Sequence, residues 1–450
     1  MAAPNPADVR PVAAFDARPE SAVDAIAPLD GDVTTPRGFR AAAATGGLKA
    51  SGAPDIALVV SDLESSAAGV FTQNAFAAAP VRLDRATLRA SGGRARAVIA
   101  NSGNANAVTG PAGDAAAAAM QRAAASALAC PDEHVLVLST GIIGVPLDVA
   151  KVERGIALAS DALSANGGPA AARAIMTTDT RPKTAARRVR LSGGDVLVGG
   201  MAKGAGMIHP DMATMLAVVT TDLDRAPIAL AADLAAAVDV SFNRISIDGD
   251  TSTNDSVILL ANGASGVAVA AVDDAVDDAV DDADDADDVA TWRAALVDLC
   301  QDLARQIVRD GEGVRKLAVI VVAGAADDAD ARRVANAIAT SPLVKTAFAG
   351  GDPNWGRIVA AAGRSGAAVD PARVTLTFAP GEHDVEGAAA PVRLLANGLP
   401  TGFDEAAAAA ILAGDAFRVR LDLGLGDGAA TVWTGDLTEE YVRINADYRT

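Results

Sequence analysis

Strand-like and helix-like segments alternate along nearly all of this 450-residue chain, and that interleaving constrains its fold more than any other feature. Two-residue alternation and short β-branched runs predict strands at residues 95–100, 134–139, 215–221, 257–260, 317–322, 373–378 and 418–423. Helical patterns lie between them, at residues 114–129 with Asp114 as the expected N-cap, 228–240, 292–309 and 405–412. An apolar face needs a second layer to cover it, so this order predicts an α/β or α+β layered fold with mixed sheets between helices. The residues are 50% hydrophobic but only 3% aromatic, so the core has to be built from Ala, Val, Leu and Ile. Recognition by base stacking is not expected of such a chain.

Lys and Arg number 38 against 57 Asp and Glu, a formal charge of −19. Such a surface repels phosphate backbones and anionic lipid, which argues against nucleic-acid and membrane partners. Ten of the carboxylates sit in one block, DDAVDDAVDDADDADD at residues 273–288. The block repels itself and buries no apolar surface, so it reads as a solvated loop or a loosely helical extension. It lacks the glycine turns of a calcium loop. Residues 1–30 are Ala-, Pro- and Asp-rich with little periodicity and are expected to form a disordered tail; they carry no apolar stretch of the secretory type. Cys130 and Cys300 are too few for a disulfide framework and lack the paired spacing of a zinc site, which suits a reducing, cytoplasmic setting. Apolar runs such as 317–326 are too short to span a bilayer.

Several chemistries lack their anchor. The chain contains no GxxxxGK[ST], no GxGxxG between a strand and a helix, no HExxH among its 3 His residues and no GxSxG elbow. The loop Asp248–Asp255 looks like a calcium loop at first sight, but Leu259 stands where the bidentate Glu belongs, so it reads as a polar turn before a strand. Two small-residue loops follow predicted strands, ANSGNANA at residues 100–107 and STGIIG at 139–144. Each suits ordinary turn chemistry, and each equally suits presenting N–H and hydroxyl donors to an oxyanion.

The most specific string is KGAGMIHPDMATML at residues 203–216, a glycine loop and a proline turn leading into a core strand. Taken whole, it resembles the self-cleavage segment of the ornithine acetyltransferase family, the glutamate N-acetyltransferases and amino-acid acetyltransferases of arginine biosynthesis. The resemblance runs from GVFTQN at residues 69–74 to the last residue. It takes in 100–107, 139–144, MTTDT at 176–180, DGEG at 310–313, LVKT at 343–346, DPNWGRI at 352–358 and YVRINADY at 441–448. The chain departs from the family pattern at Asp211, where Asn is common, in the inserted block 273–288, and in its first 30 residues. Asp211 adds a charge close to the cleavage bond and is expected to slow processing.

The resemblance implies a layered fold of the self-cleaving Thr-nucleophile type, shared with related peptidases. It implies cleavage between Ala213 and Thr214, leaving an α chain (31–213, behind the tail) and a β chain (214–450). Thr214 would be the nucleophile, activated by its own new α-amine, with the Thr140 hydroxyl and Gly141 N–H as the oxyanion hole. Thr177, Lys203, Thr214, Glu312, Asn445 and Thr450 would contact substrate, Glu312 facing the ornithine ammonium and Lys203 a carboxylate. The acetyl group would pass from N2-acetyl-L-ornithine to L-glutamate through acetyl-Thr214 in a ping-pong cycle. No metal or cofactor is called for, although the same motifs serve enzymes that also take acetyl-CoA. Two copies of each cleaved chain would form a heterotetramer. The alternative is a self-cleaving aminopeptidase or amidase, in which water takes the acyl group; Glu312 and the 445–450 tail favour the transferase.

Overall fold

Alternating residues of one long strand, β3 (Ile56–Phe71), show how the first layers form. Ile56, Leu58 and Val60 face Met120, Ala124, Val152 and Ile156 of the helices Gly110–Leu128 and Val149–Asp161. Ala57 and Val59 face Ala171, Ala172 and Ala174 of the helix Gly168–Ala174. The period of two thus buries both faces of the strand, and each large aliphatic side chain so buried contributes about 1.5–3 kcal/mol.

The computed structural model describes residues 24–209, 215–269, 283–383 and 389–447. These form two compact units, one running to Glu312 and resuming at Val442, the other Gly313–Tyr441. Besides β3, the first unit holds β1 (Ile26–Leu29), β2 (Phe39–Ala44), β4 (Arg94–Asn104), β5 (Val135–Ile142), β6 (Lys183–Leu191), β7 (Gly194–Lys203), β8 (Leu216–Thr221), β9 (Ile245–Ser246) and β10 (Ser256–Ala261). A nine-stranded sheet runs β1-β6-β7-β8-β10-β3-β4-β5, with β2 added on β3. The β8–β10 and β4–β5 pairs are parallel and the others antiparallel, so the sheet is mixed. Strands β7 and β8 pair with Lys203 opposite Leu216, which places the two ends of the 204–215 connection side by side.

The helices Pro227–Asp239 and Ala283–Arg309 pack on each other in this unit. Asp233 ties them, accepting from the buried Trp292 indole at 3.0 Å and from Arg225 Nε at 2.9 Å. The second unit carries β11 (Leu317–Ala325), β12 (Thr375–Pro380), β13 (Val392–Ala396), β14 (Leu399–Pro400), β15 (Ala416–Asp422) and β16 (Gly428–Gly435). Within it the order is β14-β13-β12-β15-β11-β16, with only β11–β15 parallel. Its core includes Ile320, Val334, Ile338, Phe378 and Leu421, and Phe348 meets Phe417 edge to face at 5.0 Å.

The layered α/β class is what the pattern predicts, and three local readings change. Asp114 is not an N-cap: the helix begins at Gly110, with Pro111 preset for its first turn and Thr109 at the cap. Ile26–Leu29, expected in the tail, pair with β6, and Ile26 is buried. His134 ends a 3-10 turn, Asp132–His134, and the strand starts after it. Of the acidic block, residues 283–288 form the first turns of a helix, where Asp288 accepts from the Ser192 hydroxyl at 2.6 Å; residues 273–282 lie outside the described residues. Among the described residues no helix is long and apolar enough to cross a membrane.

Candidate active site

The loop Asp248–Asp255 does more than turn the chain. Asp248 accepts from the N–H groups of Met207 at 2.6 Å and Ile208 at 2.8 Å, and Asp255 accepts from the Met215 N–H at 2.8 Å. One loop therefore holds the described residues on both sides of 210–214, with the half-buried carboxyl of Asp248 at one end and the buried carboxyl of Asp255 at the other. Burial pushes both carboxyls above the usual range, Asp255 well above it. Met207 takes a left-handed backbone at φ +57°, a strained conformation for a side-chain-bearing residue that the two hydrogen bonds to Asp248 help to hold. His209 Nδ1 lies 3.2 Å from the Ser246 hydroxyl. Ala213 and Thr214 themselves lie outside the described residues, as do Asp211 and Thr450.

A charged array fills the interior of the same unit. Lys203, at the end of β7, and Lys183, at the start of β6, are both fully buried. Asp179 organises them: its carboxylate accepts from Lys183 Nζ at 2.6 Å and from the N–H groups of Gly204 at 2.7 Å and Thr177 at 3.0 Å, with Lys203 Nζ at 3.9 Å. Burial pushes the Asp179 carboxyl up, but Lys203 and Lys183 outweigh it and hold the group well below the usual carboxylate range. Burial lowers the Lys203 ammonium against the pull of Asp179. Lys183 Nζ also donates to Asp310 at 2.6 Å, and Asp310 takes hydrogen bonds from the Thr180 N–H and hydroxyl. Segments 177–183 and 310–312 are stapled together in this way.

Two residues beyond Asp310, the Glu312 N–H donates to the Ala205 carbonyl at 2.7 Å, and its carboxylate lies against Gly206, where a Cβ would come within 2.6 Å of it. Asn445, on the helix Glu439–Asp447, donates to Glu312 Oε2 at 2.7 Å. The structure thus gathers Thr177, Lys203, Glu312 and Asn445 around the KGAG loop. A carboxylate, an ammonium and an amide converging there suit a small zwitterion carrying one further charge.

Thr140 and Gly141 lie at the end of β5, Thr140 buried. Gly141 has φ +131° and stands opposite Gly103; a Cβ on it would lie 2.4 Å from the Gly103 carbonyl carbon, so only glycine fits. The Asn254 amide donates to the carbonyls of Ala105 at 2.6 Å and Ser139 at 2.8 Å. Both small-residue loops are thereby tied to the loop that ends in Asp255. Asp179, Lys183, Asp248, Asn254 and Asp255 are site residues that the sequence reading did not single out, although Asp179 lies inside the MTTDT string and the last three inside the supposed calcium loop. Among the described residues no cluster of His, Cys, Asp and Glu suited to a metal ion is present.

The ArgJ family model matches residues 40–450, more than nine-tenths of the sequence. The chain belongs to the ArgJ family. A Rhizobium meliloti relative, an arginine biosynthesis bifunctional protein ArgJ, is 46% identical over 414 residues, which is 92% of this chain and 95% of the relative. The ArgJ protein of Symbiobacterium thermophilum is 47% identical over 427 residues, 94% of this chain and 99% of the relative. Among solved structures, an ornithine acetyltransferase from Mycobacterium tuberculosis complexed with ornithine is 44% identical, covering 41% of this chain and 98% of that one with a TM-score of 0.39. A Bacillus halodurans ArgJ structure is 35% identical, covering 42% and 97%, also at 0.39.

Proposed function

We propose that this chain transfers the acetyl group of N2-acetyl-L-ornithine to L-glutamate, yielding L-ornithine and N-acetyl-L-glutamate in cyclic arginine biosynthesis, after cutting itself between Ala213 and Thr214. The observation that carries this reading is the ArgJ family match over 40–450, which spans every residue the mechanism needs. A threonine hydroxyl is a poor nucleophile until a base stands beside it, and a free α-amine, with a pKa of about 7.7–8.0, works near neutral pH. Thr214 as a new N-terminus supplies both. Its hydroxyl attacks the acetyl carbonyl, Thr140 and Gly141 take the oxyanion, ornithine leaves, and glutamate attacks the resulting ester. Glu312 faces the ornithine side-chain ammonium, Lys203 a substrate carboxylate, and Thr177, Asn445 and Thr450 complete the contacts. The reaction needs no metal or cofactor, and acetyl-CoA serves as a second acetyl donor in the bifunctional form of the activity.

The pairing of β7 with β8 supports one further element of this reading. Strands on both sides of residue 213 share a single sheet, so a cut there leaves the α chain (31–213) and the β chain (214–450) bound by a full ladder of backbone hydrogen bonds. Two copies of each chain then assemble into a heterotetramer in the cytoplasm.

Purified protein given glutamate with acetylornithine, and separately with acetyl-CoA, tests the reading. N-acetylglutamate should form at a rate that depends on glutamate; acetate released at the same rate with or without glutamate would make the protein a hydrolase. Glu312→Gln keeps the shape and removes the charge. A charge-assisted hydrogen bond is worth roughly 1.5–3 kcal/mol, so kcat/KM for acetylornithine should fall by about ten- to a hundred-fold. Self-cleavage should continue, because the scissile bond presents no ornithine ammonium.

A further inference from the structure

We propose that Lys49 is a further substrate-contacting residue, whose ammonium takes the side-chain carboxylate of the acceptor glutamate and sets the preference for a dicarboxylic acceptor. The inference rests on the proposed transfer from acetylornithine to glutamate, and it resolves a conflict within that reading. The two substrates share an α-carboxylate, which Lys203 meets, but their side chains end in opposite charges. Glu312 attracts the ornithine ammonium and repels the glutamate side-chain carboxylate, and like charges brought together oppose binding. The acceptor needs a cation of its own.

The loop between β2 and β3 supplies one. The successive N–H groups of Gly46, Gly47, Leu48 and Lys49 donate to the buried Asp55 carboxylate at 2.6, 2.9, 2.5 and 3.1 Å, which fixes the backbone of the loop. The Lys49 side chain then passes over Gly103, where a Cβ would lie 3.3 Å from Lys49 Cγ, and Gly103 is the residue that stands opposite Gly141. Lys49 Nζ donates to the carbonyls of Pro54 at 2.9 Å and Ala174 at 3.1 Å. Ala174 ends the helix Gly168–Ala174, just before the MTTDT string, and its carbonyl also accepts from the Ser102 hydroxyl at 2.5 Å. Lys49 is thus seated between the oxyanion glycine pair and the segment that carries Thr177 and Asp179. A run of contacts leads from Glu312 against Gly206, through Gly204 and Lys203 to Asp179 and Thr177, and so to Ala174; Lys49 stands at the end away from Glu312.

Lys49 has the capacity to bind a carboxylate. It is half-buried, and both hydrogen bonds of its Nζ go to neutral carbonyls, so among the described residues it forms no ion pair and one of its three N–H donors is spare. Asp55 is engaged by the four backbone N–H groups instead. Burial lowers the Lys49 ammonium and Lys203 adds to that, against the pull of Asp55 and Asp179, and an incoming carboxylate would offset both. The cations of the 177–183 segment are already taken, Lys183 by Asp179 and Asp310 at 2.6 Å each and Arg181 by Asp310 at 3.7 Å.

In a ping-pong cycle kcat/KM for each substrate reports its own half-reaction, so steady-state kinetics of the full-length enzyme separate the two. Lys49→Gln should lower kcat/KM for glutamate by about ten- to a hundred-fold, the usual worth of a charge-assisted hydrogen bond, while kcat/KM for acetylornithine stays within about threefold of wild type. Glutamine carries no side-chain charge, so its use as an acceptor should hardly change and the preference for glutamate over glutamine should shrink by the same factor. Equal losses with acetylornithine and glutamate, or an unchanged ratio of glutamate to glutamine, would overturn the inference. Lys49→Met keeps the stem without the charge and serves where the Gln variant is insoluble. Wild-type protein gives a check that needs no variant: if it acetylates glutamine as readily as glutamate, nothing in the site reads the second carboxylate, and the inference is wrong while the proposed function stands. If wild-type protein transfers acetyl from acetylornithine to no acceptor, the proposed function fails and this inference fails with it.

Discussion

Lys183→Met should lower the stability of the first unit by about 3–5 kcal/mol, because it leaves two buried carboxylates without the cation they share. Asp179 and Asp310 each take a hydrogen bond from Lys183 Nζ at 2.6 Å, and all three groups are buried. In a unit of this size the loss corresponds to a fall in Tm of roughly 6–20 °C by calorimetry. The pH dependence carries a definite sign. Lys203 and Lys183 hold the Asp179 carboxyl below its ordinary value, so it contributes stability above the unfolded pKa of about 3.9 and loses it as pH falls through the lower folded value. The gap between wild type and variant should therefore be widest at neutral pH and should close in acid, where the freed Asp179 carboxylate takes up a proton. A gap of the same size at pH 3 and pH 7 would show that Lys183 acts through packing rather than charge.

Gly141→Ala should reduce acetyl transfer by at least about 10²–10³-fold, the usual loss for one oxyanion donor. The methyl group would meet the Gly103 carbonyl carbon at 2.4 Å and the Asn104 nitrogen at 2.5 Å, on a backbone whose φ of +131° already disfavours any side chain. Strand β5 has to move away from β4, and the Gly141 N–H moves with it. Thr140→Val is the companion variant, removing only the hydroxyl. Measured as kcat with glutamate and acetylornithine, a Gly141→Ala enzyme that turns over like wild type would remove Gly141 from the oxyanion role.

Much of the fold could be read from the chain because the strands buried on both faces are continuous β-branched runs. β11 was expected at 317–322 and spans Leu317–Ala325; β8 was expected at 215–221 and spans Leu216–Thr221. β3, the longest strand, is missing from the predicted strands; its middle residues Asp62, Leu63 and Glu64 are exposed and interrupt the buried pattern on either side. β6, KTAARRVRL, was hidden by its charges. Arg187 is nevertheless buried, paired with Asp298 and Asp302 of a helix more than 110 positions away. The site divides in the same way. Thr140, Lys203 and Glu312 sit in strings specific enough to match a family, whereas Asp179, Lys183 and Asp255 owe their roles to partners brought by the fold. Lys183 and Asp310 are 127 residues apart, and no local pattern announces that pairing. Asp248 and Asp255 resembled metal ligands because the composition of a calcium loop and of a carboxyl clamp is alike; only the backbone they grip separates the two.

Everything proposed for Thr214 depends on the Ala213–Thr214 bond, and intact-mass spectrometry with N-terminal sequencing of the purified full-length protein shows whether it is cut. The predicted result is two polypeptides, residues 1–213 and 214–450, the second beginning at Thr214, with Thr214→Ala remaining a single chain of 44.9 kDa. A wild-type protein that transfers acetyl groups as one uncut 44.9 kDa chain, or a new N-terminus at any residue other than Thr214, would contradict it.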